Sequence, residues 1–356
     1  MSQSDAAARL RAGIPALRSL AWLYGVGVAV ARAHGVRRRP ARTPGVRIIA
    51  VGNLEVGGNG KTPLALHLLE TAASAGRRVA YVSRAFGSRA GSGPHVTLLM
   101  PRGGSFADGV TGLRILERDG RVPLEGEVGD EAALVAEREP RAIIAVSPAK
   151  DRALAVAARM GAEIIIVDDA FQSWSLARDV DVVLLDAARP FGPGRLLPAG
   201  TLRETPSALR RADAVIFNGV RDETELAAAR GRVERWLRPG VALFGLRRAL
   251  LAPTGVDAPA RAFVATGVAR PERLKVDLGA IGIAVAGELA FPDHHAYTGD
   301  DVARIQAQAR SAGADAVVVT EKDWVKLRRF EWTMPVVAVR LRVELFGADT
   351  AALLFG

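Results

Sequence analysis

The chain has 356 residues, is 49% hydrophobic and carries a formal net charge of +10 with no cysteine; it has apolar material for two ordinary domains, and disulfides, thiolate metal sites and cysteine nucleophiles are excluded. The charge is concentrated, since residues 1–47 hold nine arginines against one acid, Asp5, and so supply +8 of the +10. With 5% aromatics and no nucleic-acid module signature, this is a basic head on a near-neutral body, and no nucleic-acid partner is expected.

Within that head, Ser19 to Ala31 is an apolar run closed by Arg32 and Arg37-Arg38-Arg39. Its thirteen residues fall short of the about 20 that a membrane-spanning helix needs. Three readings stand: a secretory signal with Ala31-Arg32-Ala33 as a cleavage-like site, a core helix with Leu17, Leu20, Leu23 and Tyr24 turned inward, and an interfacial helix whose arginines meet anionic headgroups. The interfacial reading leads, because a secreted enzyme would be cut off from the nucleotide that the next segment implies. Residues 1–40 are therefore expected to dock on a membrane surface.

Arg47 to Val51 is a short apolar strand that runs into Gly52-Asn53-Leu54-Glu55-Val56-Gly57-Gly58-Asn59-Gly60-Lys61-Thr62-Pro63, and Leu64 to Glu70 after it is helix-forming. Glycines let successive N–H groups close around phosphate oxygens, a lysine reaches the β- and γ-phosphates, and a threonine hydroxyl holds Mg²⁺. Val56, Gly57, Gly58, Asn59, Gly60, Lys61 and Thr62 are thus the candidate ATP site, with Thr62 also a metal ligand. The strict pattern asks for a glycine where Glu55 stands, so the match is partial. Pro63 falls in the first helical turn, where a missing N–H costs little.

Beyond the loop, strands are expected at Arg78 to Ser83, Ala142 to Ser147, Glu163 to Asp168, Val180 to Asp186 and Asp213 to Asn218, with helices at Asp130 to Arg138 and Asp151 to Met160. This alternation of Ile/Val runs with helices indicates a P-loop NTPase-type parallel sheet covered on both faces, over residues 41–238. Asp168-Asp169, at the carboxyl end of a strand, are candidate Mg²⁺ ligands. Asp130 and Glu131 open a helix and read either as cap and first-turn acids or as site carboxylates. Phe191 to Glu204 is a long irregular loop whose Arg195 and Arg203 suit an anionic substrate.

Residues 239–258 read as a short β linker around Val241 to Leu251, and 259–356 as a second, smaller α/β domain that closes over the first. Its strands are expected at Arg261 to Thr266, Ile281 to Ala286, Ala316 to Thr320 and Val336 to Arg340. Phe291-Pro292-Asp293-His294-His295-Ala296-Tyr297-Thr298 sets two histidines beside an aspartate in a loop suited to proton transfer. Thr320-Glu321-Lys322-Asp323 resembles a guanine-reading tetrapeptide with its lysine displaced by one position, which argues against a GTPase.

Taken in order, these pieces resemble the tetraacyldisaccharide 4′-kinases of lipid A synthesis. The matching segments are Gly-Asn-Leu-x-Val-Gly-Gly-x-Gly-Lys-Thr-Pro (52–63), Val-Ser-Arg (82–84), Val-Gly-Asp-Glu (128–131), Asp-Asp-x-Phe-Gln (168–172), Leu-Ala-Arg-Asp-x-Asp-x-Val-Leu-Leu-Asp-Ala (176–187), Leu-Leu-Pro-Ala-Gly-x-Leu-Arg-Glu (196–204), Phe-Pro-Asp-His-His-x-Tyr (291–297) and Thr-Glu-Lys-Asp-x-Val-Lys-Leu (320–327). The resemblance implies MgATP-dependent phosphorylation of the 4′-hydroxyl of a lipid-linked glucosamine disaccharide 1-phosphate, at the cytoplasmic face of the inner membrane. It implies Lys61 and Thr62 at the phosphates and Mg²⁺, Glu131, Asp168 and Asp169 near the metal, Arg84, Arg195 and Arg203 toward the substrate, and Asp130 with His294 or His295 as the base. The chain departs from the family pattern at Glu55, at Ala85-Phe86, and at Ala170 and Ser173, where Gly and His are usual. Ala170 is expected to forfeit positive-φ freedom beside the metal, and Glu55 to bring negative charge near the phosphates unless it points away. A soluble small-molecule kinase and a nucleotide-binding scaffold are the alternatives.

Overall fold

In the computed structural model, which describes residues 15–38, 43–57, 60–84, 95–101, 113–116, 125–251, 258–268, 271–293 and 295–356, the Ile- and Val-rich runs become strands. The first half supplies β1 (Arg47–Asn53), β2 (Val79–Ser83), β3 (Val96–Leu99), β4 (Leu113–Leu116), β5 (Ile143–Val146), β6 (Ile164–Val167), β7 (Val180–Asp186) and β8 (Ala214–Asn218). The second supplies β9 (Ala242–Leu251), β10 (Arg261–Thr266), β11 (Ala284–Ala290), β12 (Ala316–Thr320) and β13 (Val336–Gly347). They form one thirteen-stranded sheet of order β11-β10-β12-β13-β9-β8-β7-β1-β6-β2-β5-β3-β4. Pairing is parallel across the sheet except for β3 with β5 and β13 with β9.

Burial on both faces is what a parallel sheet requires, and β1 shows how it is met. Ile49 and Val51 point into a core shared with α2 (Lys61–Ser74) and α4 (Asp130–Arg138), which α3 (Glu125–Val128) precedes. Ile48 and Ala50, one residue out of phase, point into the opposite core beneath α5 (Lys150–Arg159). The expected short β linker is β9, which pairs in parallel with β8 and antiparallel with β13, from Leu251 opposite Arg340 to Phe244 opposite Gly347. After β13 the chain returns to the first half, where α10 (Thr350–Phe355) offers the Leu353 carbonyl to Arg47 Nε and Nη2 at 3.2 and 3.0 Å.

In the second half, α7 (Pro271–Ala280) and α8 (Gly299–Ser311) flank the sheet, and α9 (Glu321–Leu327) follows β12 directly. The strand expected at Ile281 to Ala286 begins later, at Ala284, because the chain first turns through Gly282 at φ +81°. Asp323 of the guanine-reader lookalike is fully buried and accepts hydrogen bonds from Thr266 Oγ1 (2.8 Å), Gly267 N (3.0 Å), Tyr297 Oη (2.9 Å) and Thr320 Oγ1 (2.7 Å). It is a staple joining the ends of β10 and β12 to the 291–298 loop, and reads no base.

The N-terminal apolar run lies in α1 (Pro15–Arg37), and α6 (Glu223–Val233) is the remaining α-helix among the described residues. On α1, Ala21 is buried and Leu17, Tyr24, Gly25 and Val28 are partly covered, whereas Leu20, Trp22, Leu23, Val26 and Val30 are exposed. Leu20 and Leu23, expected inward by the core-helix reading, therefore face out. No helix among the described residues is long and apolar enough to cross a membrane.

Removing the Asp323 carboxylate strands four donors in a dry interior. Asp323→Ala is expected to cost about 3–5 kcal/mol in urea-unfolding free energy; a loss below about 1 kcal/mol would show that the staple is dispensable.

Candidate active site at the phosphate loop

Parallel strands bring their carboxyl ends to one edge, the edge at which open α/β sheets form their ligand crevice, and the chain leaves β1 into the glycine loop there. Gly60 caps α2 at φ +91°, a conformation that L side chains rarely adopt, with no side chain capping the helix's free N–H groups. Lys61, the first residue of α2, reaches back to the Gly57 carbonyl at 3.3 Å and across to Asp169 Oδ1 at 3.4 Å. Thr62 is partly exposed in the same turn, whereas Gly58 and Asn59 lie outside the described residues. Asn53 Oδ1 and Ser83 Oγ, at the ends of β1 and β2, are buried with no hydrogen-bond partner. Orphaned polar atoms beside a cradle of free N–H groups suit a hydrated metal and a phosphate chain.

Glu55 does point away. Its carboxylate accepts from Thr201 Oγ1 at 2.5 Å, and a Cβ on Gly192 would fall 2.1 Å from Glu55 Oε1. Two backbone hydrogen bonds, Val56 N to Thr201 O (2.9 Å) and Arg203 N to Leu54 O (2.7 Å), hold the same stretch to the 191–204 loop. Glu55 thus ties the phosphate loop to its neighbour and directs its charge there.

Asp168 and Asp169 follow β6. Asp168 Oδ2 accepts from the buried Tyr81 hydroxyl at 2.7 Å, and its Oδ1 accepts from Asp169 N at 2.8 Å. Asp169 is the left-handed residue, at φ +46°, and Ala170 has an ordinary φ, so the freedom expected to be lost at 170 is demanded one residue earlier. Such a conformation costs a non-glycine residue roughly 1–2 kcal/mol. Arg203 Nη1 donates to both Asp169 oxygens at 2.8 Å. Burial would raise the Asp169 carboxyl, but Lys61 and Arg203 outweigh it and hold it at about 2. Lys150, at the start of α5, donates to the carbonyls of Asp168 and Asp169, the latter at 2.7 Å; burial brings its ammonium down to about 8. Arg84 contributes charge to that environment, while the Arg195 side chain is exposed on the loop's rim. Ser173, where the family has histidine, donates its N–H to the Ala170 carbonyl within the same turn.

Asp130 is not a helix cap, since Gly129 holds that position. It is buried, with Oδ1 accepting from Glu131 N at 3.0 Å and Oδ2 lying 3.3 Å from Lys326 Nζ and 3.7 Å from Lys322 Nζ. Both lysines come from α9 of the second half. Lys322 also pairs with Asp293 at 3.2 Å, and Lys326 donates to the His295 carbonyl at 3.4 Å, so α9 joins Asp130 to the 291–297 loop. Burial lowers the Lys322 ammonium, but Asp130 and Asp293 outweigh it and raise it. Tyr81 is pushed well above its usual range by burial, by Asp168 and by the charges of Glu131 and Asp130, which sets those two acids around the Asp168 end of the site. His295 Nε2 lies 3.0 Å from Asp301 Oδ2, and its ring stacks on Phe291 at 4.7 Å. His294 lies outside the described residues.

Sequence reading assigned no role to Lys150, Tyr81, Lys322 or Lys326. The four-residue spacing of Lys322 and Lys326 on one helix face was the available signal for that pair. Among the described residues there is no group of three or more His, Asp or Glu side chains that could hold a metal ion.

A family model described as tetraacyldisaccharide-1-P 4′-kinase matches residues 14–354. A tetraacyldisaccharide 4′-kinase of Anaeromyxobacter sp. (strain Fw109-5) is 38% identical over 314 residues, covering 85% of this chain and 79% of that protein. The protein of the same name from Syntrophotalea carbinolica is 35% identical over 337 residues, covering 92% and 87%. Among solved structures, LpxK from Aquifex aeolicus in complex with ATP shares the fold with a TM-score of 0.64 at 24% identity, over 92% of this chain and 93% of that one.

Because the Glu55 carboxylate is turned toward Thr201, Glu55→Ser is expected to leave nucleotide affinity within about twofold by equilibrium titration. A tenfold gain would mean that its charge bears on the phosphates.

Proposed function

Since the chain belongs to the tetraacyldisaccharide-1-P 4′-kinase family, we propose that the crevice described above moves the γ-phosphoryl group of ATP to the 4′-hydroxyl of a tetraacyl glucosamine disaccharide 1-phosphate in lipid A biosynthesis. The observation that carries the site assignment is the meeting of Lys61, Asp169 and Arg203 beside the glycine loop, with Asp130 close enough for its charge to act on Tyr81, the partner of Asp168.

Phosphoryl transfer relies chiefly on positioning and charge neutralisation. In this reading the backbone at Gly57 and from Gly60 to Thr62 cradles the phosphates, and Lys61 leaves Asp169 to neutralise the β- and γ-oxygens. Thr62, Asp168 and Asp169, with Glu131 nearby, would hold Mg²⁺, which supplies further charge neutralisation when bound. Asp130 takes the proton of the attacking hydroxyl, kept in place by Lys322 and Lys326. His295, oriented by Asp301, assists from the second half, as an imidazole fixed through one nitrogen can. Arg203 and Arg84 face the substrate's anionic end, with Arg195 at the rim.

The N-terminal helix supports a lipid surface over a soluble substrate. Trp22 and Val30 are 68% and 65% exposed, in one helix with Leu20, Leu23 and Val26 and beside Arg18, Arg37 and Arg38. Its covered side rests on the substrate loop, since Gly25 lies against Leu196 and Tyr24 feels the charges of Arg203 and Glu204. A helix lying in the interface of an anionic membrane, with its arginines among the headgroups, would hand a lipid directly to that loop.

Lys61→Ala is expected to lower phosphate transfer to the disaccharide by about 10²–10³-fold, and Asp130→Asn to lower kcat by about 10²-fold or more with little change in KM for ATP. Transfer at the parental rate by either variant would move the chemistry elsewhere. The double substitution Trp22→Asp with Val30→Asp, both on exposed positions, is expected to weaken flotation with phosphatidylglycerol vesicles by about tenfold or more; unchanged flotation would rule out this docking face.

A further inference from the structure

Lys150 has no place in the scheme above, yet it is 6% exposed and its ammonium lies against two successive carbonyl oxygens, those of Asp168 and Asp169. An ammonium held in a dry interior needs partners in good geometry, and here they are main-chain atoms of one tight turn. Two adjacent carbonyls converge on a single donor because the chain reverses at Asp169, whose φ is +46°. The third polar group of that stretch, the Asp169 N–H, is taken by the Asp168 carboxylate at 2.8 Å. Every main-chain polar atom from the Asp168 carbonyl through the Asp169 carbonyl is thereby committed. The carboxylates on this turn then have fixed directions: Asp168 onto Tyr81 and Asp169 onto Lys61 and Arg203.

We infer that Lys150 is a positioning residue for the metal-bearing carboxylates: by bridging the Asp168 and Asp169 carbonyls it holds the strained turn that aims both side chains at Mg²⁺-ATP. Its ammonium is turned to the two carbonyls, so it acts through the turn. A glycine in such a turn would adopt the left-handed conformation without help, whereas this chain has Asp169 there, followed by Ala170, and the buried lysine supplies the restraint from outside the turn. The inference rests on the reading that Asp168 and Asp169 hold the metal.

The test is calorimetric titration of the full chain with ATP, in EDTA and in excess Mg²⁺, for the parent, Lys150→Met, Lys150→Arg and Asp168→Asn. Methionine keeps the length of the stem and removes the donors. Lys150→Met is expected to bind metal-free ATP nearly as the parent does and to lose about 10- to 100-fold of the tightening that Mg²⁺ confers, whereas Lys150→Arg, which keeps a cation and donors, retains most of it. Equal Mg²⁺-dependent tightening in the parent and Lys150→Met would overturn the inference, as would equal weakening in EDTA and Mg²⁺, which marks a purely structural residue. If Lys150→Met does not fold, Lys150→Gln, with one amide donor and no charge, is held to the same comparison. Unchanged tightening in Asp168→Asn would instead remove the metal assignment on which the inference stands.

Discussion

The Asp169 carboxylate lies between Lys61 of the glycine loop, at 3.4 Å, and Arg203 of the 191–204 loop, at 2.8 Å, and segments far apart in the chain meet on it. Its place follows from the sheet: β1 and β6 are neighbours in parallel register, so the glycine loop that leaves one and the aspartate pair that leaves the other emerge on the same edge. The carboxylate is held well ionised, which keeps two cations that would otherwise repel each other side by side. In the proposed reading, a nucleotide would exchange one set of charge pairs for another without rebuilding the site, the kind of preorganisation on which phosphoryl transfer depends.

The second half bears on the same crevice through charge. Lys322 and Lys326 reach Asp130, and Arg138, with its side chain only 8% exposed, pairs with Glu70 at 2.8 Å and Glu321 at 2.9 Å. Exposed ion pairs contribute little, but a buried guanidinium with two carboxylates has nowhere else to satisfy its donors. The antiparallel β9/β13 pair carries the sheet through this junction, and the return of α10 to β1 binds the last helix to the first strand. Relative placement of Asp130 and the histidine loop therefore rests on side chains of α9 and on a continuous backbone ladder.

The departures from the family pattern acquire meaning from their surroundings. Glu55 exchanges a small hydroxyl group for a carboxylate that reaches Thr201 and fills the space left by Gly192, drawing the phosphate loop toward the loop on which α1 rests. Ala170 is fully buried under the sheet and its N–H goes to the Val51 carbonyl, so the position needs a small side chain more than it needs freedom at φ. Ser173 closes a turn with its own backbone.

The strands of the parallel sheet, the glycine loop between strand and helix, the aspartate pair at a strand end and the basic, apolar head were legible in the residue order, because each is marked within a few residues: β-branched runs, glycines that free successive N–H groups, carboxylates at a strand end, clustered arginines. The histidine loop was legible as a motif, though its anchoring by Asp301, Phe291 and Asp323 was not. β3 and β4 are broken by Thr97 and Arg114 and lack the unbroken apolar run that marks β5 and β6 at the same length, and the β linker did not announce that it joins the halves into one sheet. The partners of Asp130 lie nearly two hundred positions away, Lys150 looks in sequence like any helix-opening lysine, and the direction of Glu55 depends on a loop almost 150 residues later. No local pattern encodes such pairings, because they exist only once the hydrogen-bonded register of the strands has brought those carboxyl ends to one edge.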